Sequence, residues 1–220
     1  MDNKKYELLT NDTIELNGKI LYRIKALKDF SNVKAGDLGG YIEKEENLSH
    51  EGNCWVSGNA KVYDNAIVYC NAYVYGNAKV RNNAQVFGNA KVYDNAKVFD
   101  KAWVHGSARV YGDARVFDSA YIHDNSRVYG NAEVFGNAWV CSIADISSRD
   151  HILWISNMGS RNNDTITFMR NSENEILVNT EFYTGTISKF KQRVSEVHGD
   201  NKYAKEYLVA IELATIKIEL

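Results

Sequence analysis

Between Val56 and Ile146, every sixth residue of the chain is Val or Ile, sixteen times in succession. Two residues before each one stands Ala, or a residue of similar size such as Cys54 or Ser126. Successive side chains of a β-strand point to opposite faces, so each Val or Ile points inward while its two neighbours point outward. A fixed short period of this kind predicts a solenoid, in which every repeat buries its apolar side against the repeats beside it.

Each hexad combines a short strand with a turn. Residues 89–94 read Asn-Ala-Lys-Val-Tyr-Asp, and residues 95–100 read Asn-Ala-Lys-Val-Phe-Asp. The turn consists of Gly, Asp or Asn followed in most repeats by Asn, and these residues tolerate positive φ at little cost. Three hexads would close one triangular coil of 18 residues, so side chains 18 positions apart should lie one above another. The Val and Ala columns would then form the core.

The repeat Val-x-Gly/Asp-Asn-Ala-x resembles the hexapeptide repeat of left-handed parallel β-helices, the fold of trimeric acyltransferases and γ-class carbonic anhydrases. Three stretches together resemble phage and prophage hexapeptide-repeat proteins that are loosely labelled transferases: residues 23–43, the Asn-Ala-x-Val array, and residues 158–170 with 185–208. The resemblance covers most of the chain. It implies an all-β left-handed parallel β-helix, a trimeric assembly and a phage origin.

The sequence divides into three predicted regions. Residues 1–47 are expected to form an N-terminal β-hairpin cap, because Asn17-Gly18 lies between two apolar runs. Residues 48–147 form the β-helix. Residues 148–220 read as a small α+β module, with three strands followed by two helices capped by Thr186 and by Asp200 or Asn201.

Composition favours a soluble, cytoplasmic protein, in the host cytoplasm if the chain is phage-encoded. The net charge of −2 gives no global attraction to nucleic acid or membrane, and no apolar run approaches the length of a membrane span. Residues 1–5 lack the pattern of a signal peptide. The three cysteines, Cys54, Cys70 and Cys141, do not have metal-site spacing, so neither a cofactor nor a metal is expected.

One outer face of the predicted coils, which we call the aromatic face, carries large apolar side chains on nearly every rung. Apolar surface of this size is rarely left in water, which predicts an interface within a homo-oligomer, with a trimer favoured. Docking of the C-terminal module and a platform for a ligand are the alternatives. The other two faces mix cations with aromatic residues, and we interpret them as solvated, so nucleic acid is not an expected partner. The predicted interface residues are Tyr69, Phe87, Trp103, Tyr121 and Trp139.

His105 and His123 lie one predicted rung apart on the aromatic face, with Cys141 on the next rung. They could share a metal, or one could be the general base of an acyltransferase. However, their 18-residue spacing follows from the repeat itself. The array also lacks the loop that acyltransferases of the resembled fold insert between coils. Catalysis by the array is therefore not expected, and His105 and His123 are the catalytic candidates if the chain is an enzyme.

The module contains a denser set of non-repeating polar residues, placed in a turn and in the connection between the two helices, where binding residues often lie. The leading hypothesis is a non-catalytic, oligomeric binding or scaffold protein of phage origin, which acts in host takeover or counter-defence by binding a host protein or sequestering a small nucleotide. The alternatives are an acyl-CoA-dependent acyltransferase and a γ-carbonic-anhydrase-like metalloenzyme. The predicted ligand residues are Ser160, Arg161, His198, Asp200, Asn201 and Tyr203.

Overall fold

The computed structural model describes residues 4–159 and 164–220, so the predicted ligand residues Ser160 and Arg161 lie outside the described residues. Three strands precede the array: β1 (Tyr6–Leu16), β2 (Lys19–Ala26) and β3 (Leu38–Ile42). The array contributes sixteen two-residue strands, β4 to β19: Trp55–Val56, Lys61–Val62, Ile67–Val68, Tyr73–Val74, Lys79–Val80, Gln85–Val86, Lys91–Val92, Lys97–Val98, Trp103–Val104, Arg109–Val110, Arg115–Val116, Tyr121–Ile122, Arg127–Val128, Glu133–Val134, Trp139–Val140 and Asp145–Ile146. The module follows with β20 (Ile152–Ser156), β21 (Thr165–Arg170), β22 (Ile176–Thr180), β23 (Tyr183–Thr186), α1 (Ile187–His198) and α2 (Lys202–Lys217). Two short 3-10 helices, Glu45–Asn47 and Arg149–His151, flank the array.

The array is a parallel β-solenoid, which confirms the predicted fold class. Each strand pairs in parallel with the strand three hexads away, as Val92 does with Val74 and Val110. Three sheets result. The first sheet has the order β1-β2-β3-β5-β8-β11-β14-β17, the second β19-β16-β13-β10-β7-β4, and the third, which is the predicted aromatic face, β18-β15-β12-β9-β6.

The solenoid core consists of the predicted Val and Ala columns. Every Val and Ile at the repeated sixth position, from Val56 to Ile146, is fully buried, and so are the two residues that stand in for Ala, Cys54 and Ser126. The corners are held by side chains as well as by backbone. For example, Asp94 has a φ of 56°, and its carboxylate accepts a hydrogen bond from the backbone N–H of Gly112 on the next coil at 3.3 Å. The turn residues therefore contribute to stacking in addition to reversing the chain.

The N-terminal hairpin extends the first sheet beyond the first coil. Its turn is Asn17-Gly18, with both residues at positive φ (53° and 76°), as a two-residue hairpin with this sequence requires. Strand β3 links the hairpin to the coils, because it pairs antiparallel with β2 and parallel with β5. Gly40 is needed there, since a Cβ would lie 2.7 Å from the carbonyl oxygen of Ala60.

Lys5 closes the open end of the first coil. Its side chain is fully buried, and Nζ donates hydrogen bonds to the carbonyl oxygens of Cys54 at 2.8 Å and Gly52 at 3.4 Å. No coil lies above these carbonyls, and buried carbonyls without a donor are costly. The buried ammonium therefore replaces the backbone donors that a further coil would supply.

The C-terminal module covers the other end of the solenoid. Its four strands form an antiparallel sheet in the order β20-β21-β22-β23, one strand more than predicted. Ile152, Met169 and Leu177 join the solenoid core, while α1 and α2 pack on the opposite side around a second core that includes Phe168, Phe190 and Ile211. Within the described residues, no helix is both long and apolar enough to cross a membrane.

The module contacts the aromatic face at its last rung. The backbone N–H of Trp139 donates to Oγ1 of Thr167 at 3.1 Å, and the thiol of Cys141 donates to Oδ1 of Asn179 at 3.4 Å. On earlier rungs, Ile67 and Trp103 each remain 38% exposed. The module thus covers one end of this face and leaves its middle open to solvent.

Candidate functional site

The two array histidines belong to a continuous ladder of stacked rings. Tyr69, Phe87, His105 and His123 follow one another at centroid distances of 4.7, 4.6 and 5.3 Å, with interplanar angles below 10°. The ladder arises because these residues occupy equivalent positions on successive coils. His105 and His123 are therefore brought together, as the sequence predicted.

Both ring nitrogens of His123 are engaged. The indole N–H of Trp139 donates to Nε2 at 2.5 Å, and Nδ1 lies 3.0 Å from Oδ1 of Asp124. An indole nitrogen can only donate, so Nε2 carries the lone pair and the proton of the neutral ring lies on Nδ1, where it faces Asp124. In this arrangement His123 presents no accessible lone pair to a substrate.

His105 is also poorly placed to act as a base. Its Nε2 is buried and has no hydrogen-bond partner within the described part of the chain. Burial, and next the neighbouring His123, lower the pKa of His105, so the ring is held neutral. Tyr121 packs its ring edge-on against this imidazole at 4.8 Å. The buried Nε2 therefore cannot accept a proton from an external nucleophile.

His123, Asp124 and Cys141 place potential metal ligand atoms within 4.8 Å of one another. A metal would require a thiolate and a deprotonated ring nitrogen. Burial raises the pKa of the Cys141 thiol to about 11, and both nitrogens of His123 are already hydrogen-bonded. The three side chains are therefore close enough to share a metal, but the protonated thiol and the hydrogen-bonded ring nitrogens oppose metal binding. The absence of a metal from the array stays a prediction.

A cleft of about 390 Å³ lies in the module, between α1, the start of α2 and the turn that joins β22 to β23. Helix α1 contributes residues three and four positions apart, which share one helical face. The cleft combines aromatic, cationic and acidic side chains: its lining residues are Met158, Asp164, Thr165, Ile166, Thr180, Glu181, Phe182, Tyr183, Phe190, Arg193, Val194, Val197, His198 and Tyr207.

Of the predicted ligand residues, His198 lines this cleft. Its ring lies 5.6 Å from the ring of Tyr207 and 6.0 Å from that of Tyr203. Asn201 instead caps α2, because its side chain accepts hydrogen bonds from the backbone N–H groups of Tyr203 and Ala204. Asp200 is exposed beside the cap.

Arg193 is the main residue of the cleft that the sequence interpretation missed. Its guanidinium lies 5.8 Å from the centroid of the Tyr183 ring, and it forms no ion pair within residues 4–159 and 164–220. Its position three residues after Phe190, on the same face of α1, could have indicated it. Glu181 and Tyr183 could not have been found in this way, because the fourth strand was not predicted.

The chemistry of the cleft suits an amphipathic ligand with an anionic group. Arg193 and His198 can donate to phosphate or carboxylate oxygens, and an unpaired guanidinium is well matched to such groups. The rings of Tyr183, Phe190 and Tyr207 offer apolar surface to a planar group. Asp164 and Glu181 can accept hydrogen bonds from ligand N–H groups.

Comparison with known proteins gives partial matches. A family model described as the YdcK beta solenoid repeat matches residues 108–124, which include β13 to β15 and His123. The uncharacterized acetyltransferase YdcK of Escherichia coli (strain K12) is 49% identical over 37 residues, which cover 17% of this chain and 11% of the relative. The matched part is thus about a tenth of that protein's length. These similarities support a hexapeptide-repeat-like β-helix.

Proposed function

We propose that this chain is a non-catalytic binding protein, in which the solenoid is a rigid support and the cleft of the C-terminal module holds a small anionic ligand with a planar ring, such as a nucleotide. The observation that carries the proposal is the cleft itself, where Arg193 has no ion pair among the described residues and lies beside His198 and several aromatic rings. Sequestration of a nucleotide in a host cell, as the phage resemblance implies, is a role that such a cleft would serve.

The contrast between cleft and array supports this proposal. The array repeats nearly the same surface on every coil, and the Nε2 atoms of its two candidate bases are blocked by Trp139 and by burial. The cleft is built from side chains that do not repeat, so it can distinguish one ligand from another. Ligand binding by the cleft therefore needs only side chains that are already accessible.

The second candidate function is acyl transfer from acyl-CoA, which the name of the Escherichia coli relative favours. This reaction would need His105 or His123 to take a proton from the acceptor. It would require Trp139 to move away from Nε2 of His123, or Tyr121 to uncover His105. Assembly of several chains around the aromatic face is the event that could cause such movement.

Self-association is part of the proposal. Trp103 and Ile67 keep more than a third of their surface exposed in the middle of the aromatic face, and the strand residues of this face carry no cation between Ile67 and Trp139. The corresponding strand residues of the first sheet include Lys61, Lys79, Lys97 and Arg115. We expect the aromatic face to pack against further copies of the chain, which would multiply the cleft within one particle.

Isothermal titration with a panel of nucleoside mono-, di- and triphosphates tests the binding role. We expect at least one nucleotide to bind to the full-length protein, and Arg193→Ala to weaken it about tenfold or more, because a charge-assisted hydrogen bond contributes about 1.5–3 kcal/mol. The matched control is Lys189→Ala, which removes one exposed cation of the same helix that does not line the cleft. Equal weakening by both variants, or binding of no member of the panel, would contradict the proposal.

A further inference from the structure

A column of stacked tyrosines runs along the edge where the second sheet of the solenoid meets the first sheet. Tyr75, Tyr93, Tyr111 and Tyr129 stack in one column along this edge, with centroid distances of 4.8, 4.8 and 5.0 Å and interplanar angles of 2°, 2° and 5°. We call this column and its flanking cations the tyrosine ridge. The ring faces cover one another, so the edges that carry the hydroxyl groups face outward.

Two columns of cations flank the tyrosines. Lys91, Arg109 and Arg127 are in register on the second sheet, two residues before a ladder tyrosine in each case. On the first sheet, Lys79, Lys97 and Arg115 are in register, four residues after a ladder tyrosine. Lys91, Lys97, Arg109 and Arg127 are exposed.

The cations of the ridge are poorly neutralised. Within the described ranges, Arg115 is paired with Glu133 at 2.7 Å, and the other five cations form no ion pair. Three acids lie near these columns, and each has a partner outside them: Asp94 accepts from the N–H of Gly112, Asp113 accepts from the side chain of Asn95, and Asp145, one rung beyond Arg127, lies 3.8 Å from Arg170. Like charges one strand apart repel one another, so the ridge would be stabilised by an anionic partner.

The distance between successive cations of the ridge can be compared with the distance between successive charges in different linear polyanions. A stacked nucleic-acid strand advances about 3.4 Å per phosphate, and an extended acidic peptide places same-side carboxylates about 6.6 Å apart. The coils advance by about 4.8 Å, as the tyrosine rings record. Bases would also find no platform, since they stack on aromatic faces and these faces are covered.

We propose that the tyrosine ridge binds an extended acidic polysaccharide that carries one anionic group on each sugar ring. One sugar ring of such a chain spans close to the rise of one coil, and because successive rings turn their charged groups to different sides, these groups can meet the two cation columns in turn. Its carboxylates or sulfates would meet the lysine and arginine columns, and its hydroxyl groups would exchange hydrogen bonds with the tyrosine hydroxyls. This surface lies on the solenoid and does not depend on the cleft of the module.

The test uses the full-length protein with three probes of equal charge: an oligogalacturonate, an oligodeoxythymidylate and an oligoglutamate. We expect the oligogalacturonate to bind most tightly and its affinity to fall as salt is added. Arg109→Gln with Arg127→Gln should lower that affinity about tenfold or more, because two phosphate-like contacts are lost. Tyr93→Phe with Tyr111→Phe keeps the stacked rings, removes two hydroxyls, and should lower it about threefold.

The matched control is Lys189→Gln with Lys191→Gln, which removes the same charge from exposed positions on α1 and should change the affinity less than about twofold. Thermal unfolding of each variant verifies that the solenoid is intact. The inference is overturned if the oligogalacturonate does not bind, if the control weakens binding as much as the ridge variant, or if the oligodeoxythymidylate or the oligoglutamate binds more tightly. Arg193→Ala should leave this binding unchanged, which separates it from the cleft.

Discussion

The indole N–H of Trp139 donates to Nε2 of His123 across 2.5 Å, from one coil to the next. This contact fixes the proton of the neutral imidazole on Nδ1, where Asp124 accepts it at 3.0 Å. A histidine beside a carboxylate resembles a catalytic pair, but here the nitrogen that would act as the base is occupied. The pair therefore serves the stacking of coils.

The double variant His105→Ala, His123→Ala should fold and retain ligand binding by the cleft. We expect a loss of about 1–3 kcal/mol in the free energy of unfolding, because stacked aromatic pairs contribute about 0.5–1.5 kcal/mol each beyond the area they bury. Urea unfolding and titration with the cleft ligand measure the two effects. Loss of ligand binding with the fold intact would show that the array histidines take part in binding.

Stability should fall between neutral and mildly acidic pH. Burial lowers the pKa of His105 and of His151 in the folded state, so the unfolded chain binds more protons below about pH 6.5. The contribution of these neutral rings is fully present above that pH and is lost as the pH falls through their folded pKa values. His105→Phe keeps the ring ladder and should reduce the decrease in melting temperature from pH 7.5 to 5.5. An unchanged decrease would show that His105 is not one of the groups responsible.

Replacement of a single core valine should unfold much of the solenoid. Val98 is fully buried and pairs in register with Val80 and Val116. In Val98→Asp, the buried carboxyl group has no partner, so we expect a loss of several kcal/mol in the free energy of unfolding. Lys97→Asp, at the neighbouring exposed position, should cost less than about 1 kcal/mol. Similar melting temperatures for the two variants would show that the proposed inward register is wrong.

The aromatic face should mediate self-association. Trp103→Glu would place a charge at the centre of this face, and we expect it to reduce the particle mass toward the 24.9 kDa of one chain. Light scattering with size-exclusion chromatography measures the mass. Arg109→Glu, on a different sheet, is the control and should not change it. A wild-type protein that is already monomeric would rule out this interface.

The solenoid could be predicted in detail because its signal is repeated sixteen times. The Val or Ile at every sixth position from Val56 to Ile146 indicates the same register. Residues that depart from the Ala column, such as Cys54 and Ser126, do not change this register. The hairpin turn at Asn17-Gly18 was also predictable, since few sequences adopt positive φ at both positions. These features depend on local sequence alone.

The module was harder to predict because its contacts are not periodic. Strand β23 (Tyr183–Thr186) contains Gly185 and two threonines, so it resembles a turn in sequence and becomes a strand by pairing with β22. Glu181 and Tyr183 reach the cleft through that pairing. Of the two residues predicted as alternative caps of α2, Asp200 and Asn201, the structure uses Asn201, and this capping role explains why Asn201 does not line the cleft, although it was also a predicted ligand residue.

We expect the cleft to bind a ligand and the array not to catalyse a reaction. Native mass spectrometry of the whole chain, incubated with acetyl-CoA, a set of amine and hydroxyl acceptors and the nucleotide panel, tests both parts in one measurement. We predict a nucleotide adduct that persists in the His105→Ala, His123→Ala variant and is lost in Arg193→Ala. The contrary result is that the wild type consumes acetyl-CoA, the double-histidine variant does not, and no form carries a nucleotide adduct. This result would show that the array is catalytic and that the cleft does not bind these nucleotides.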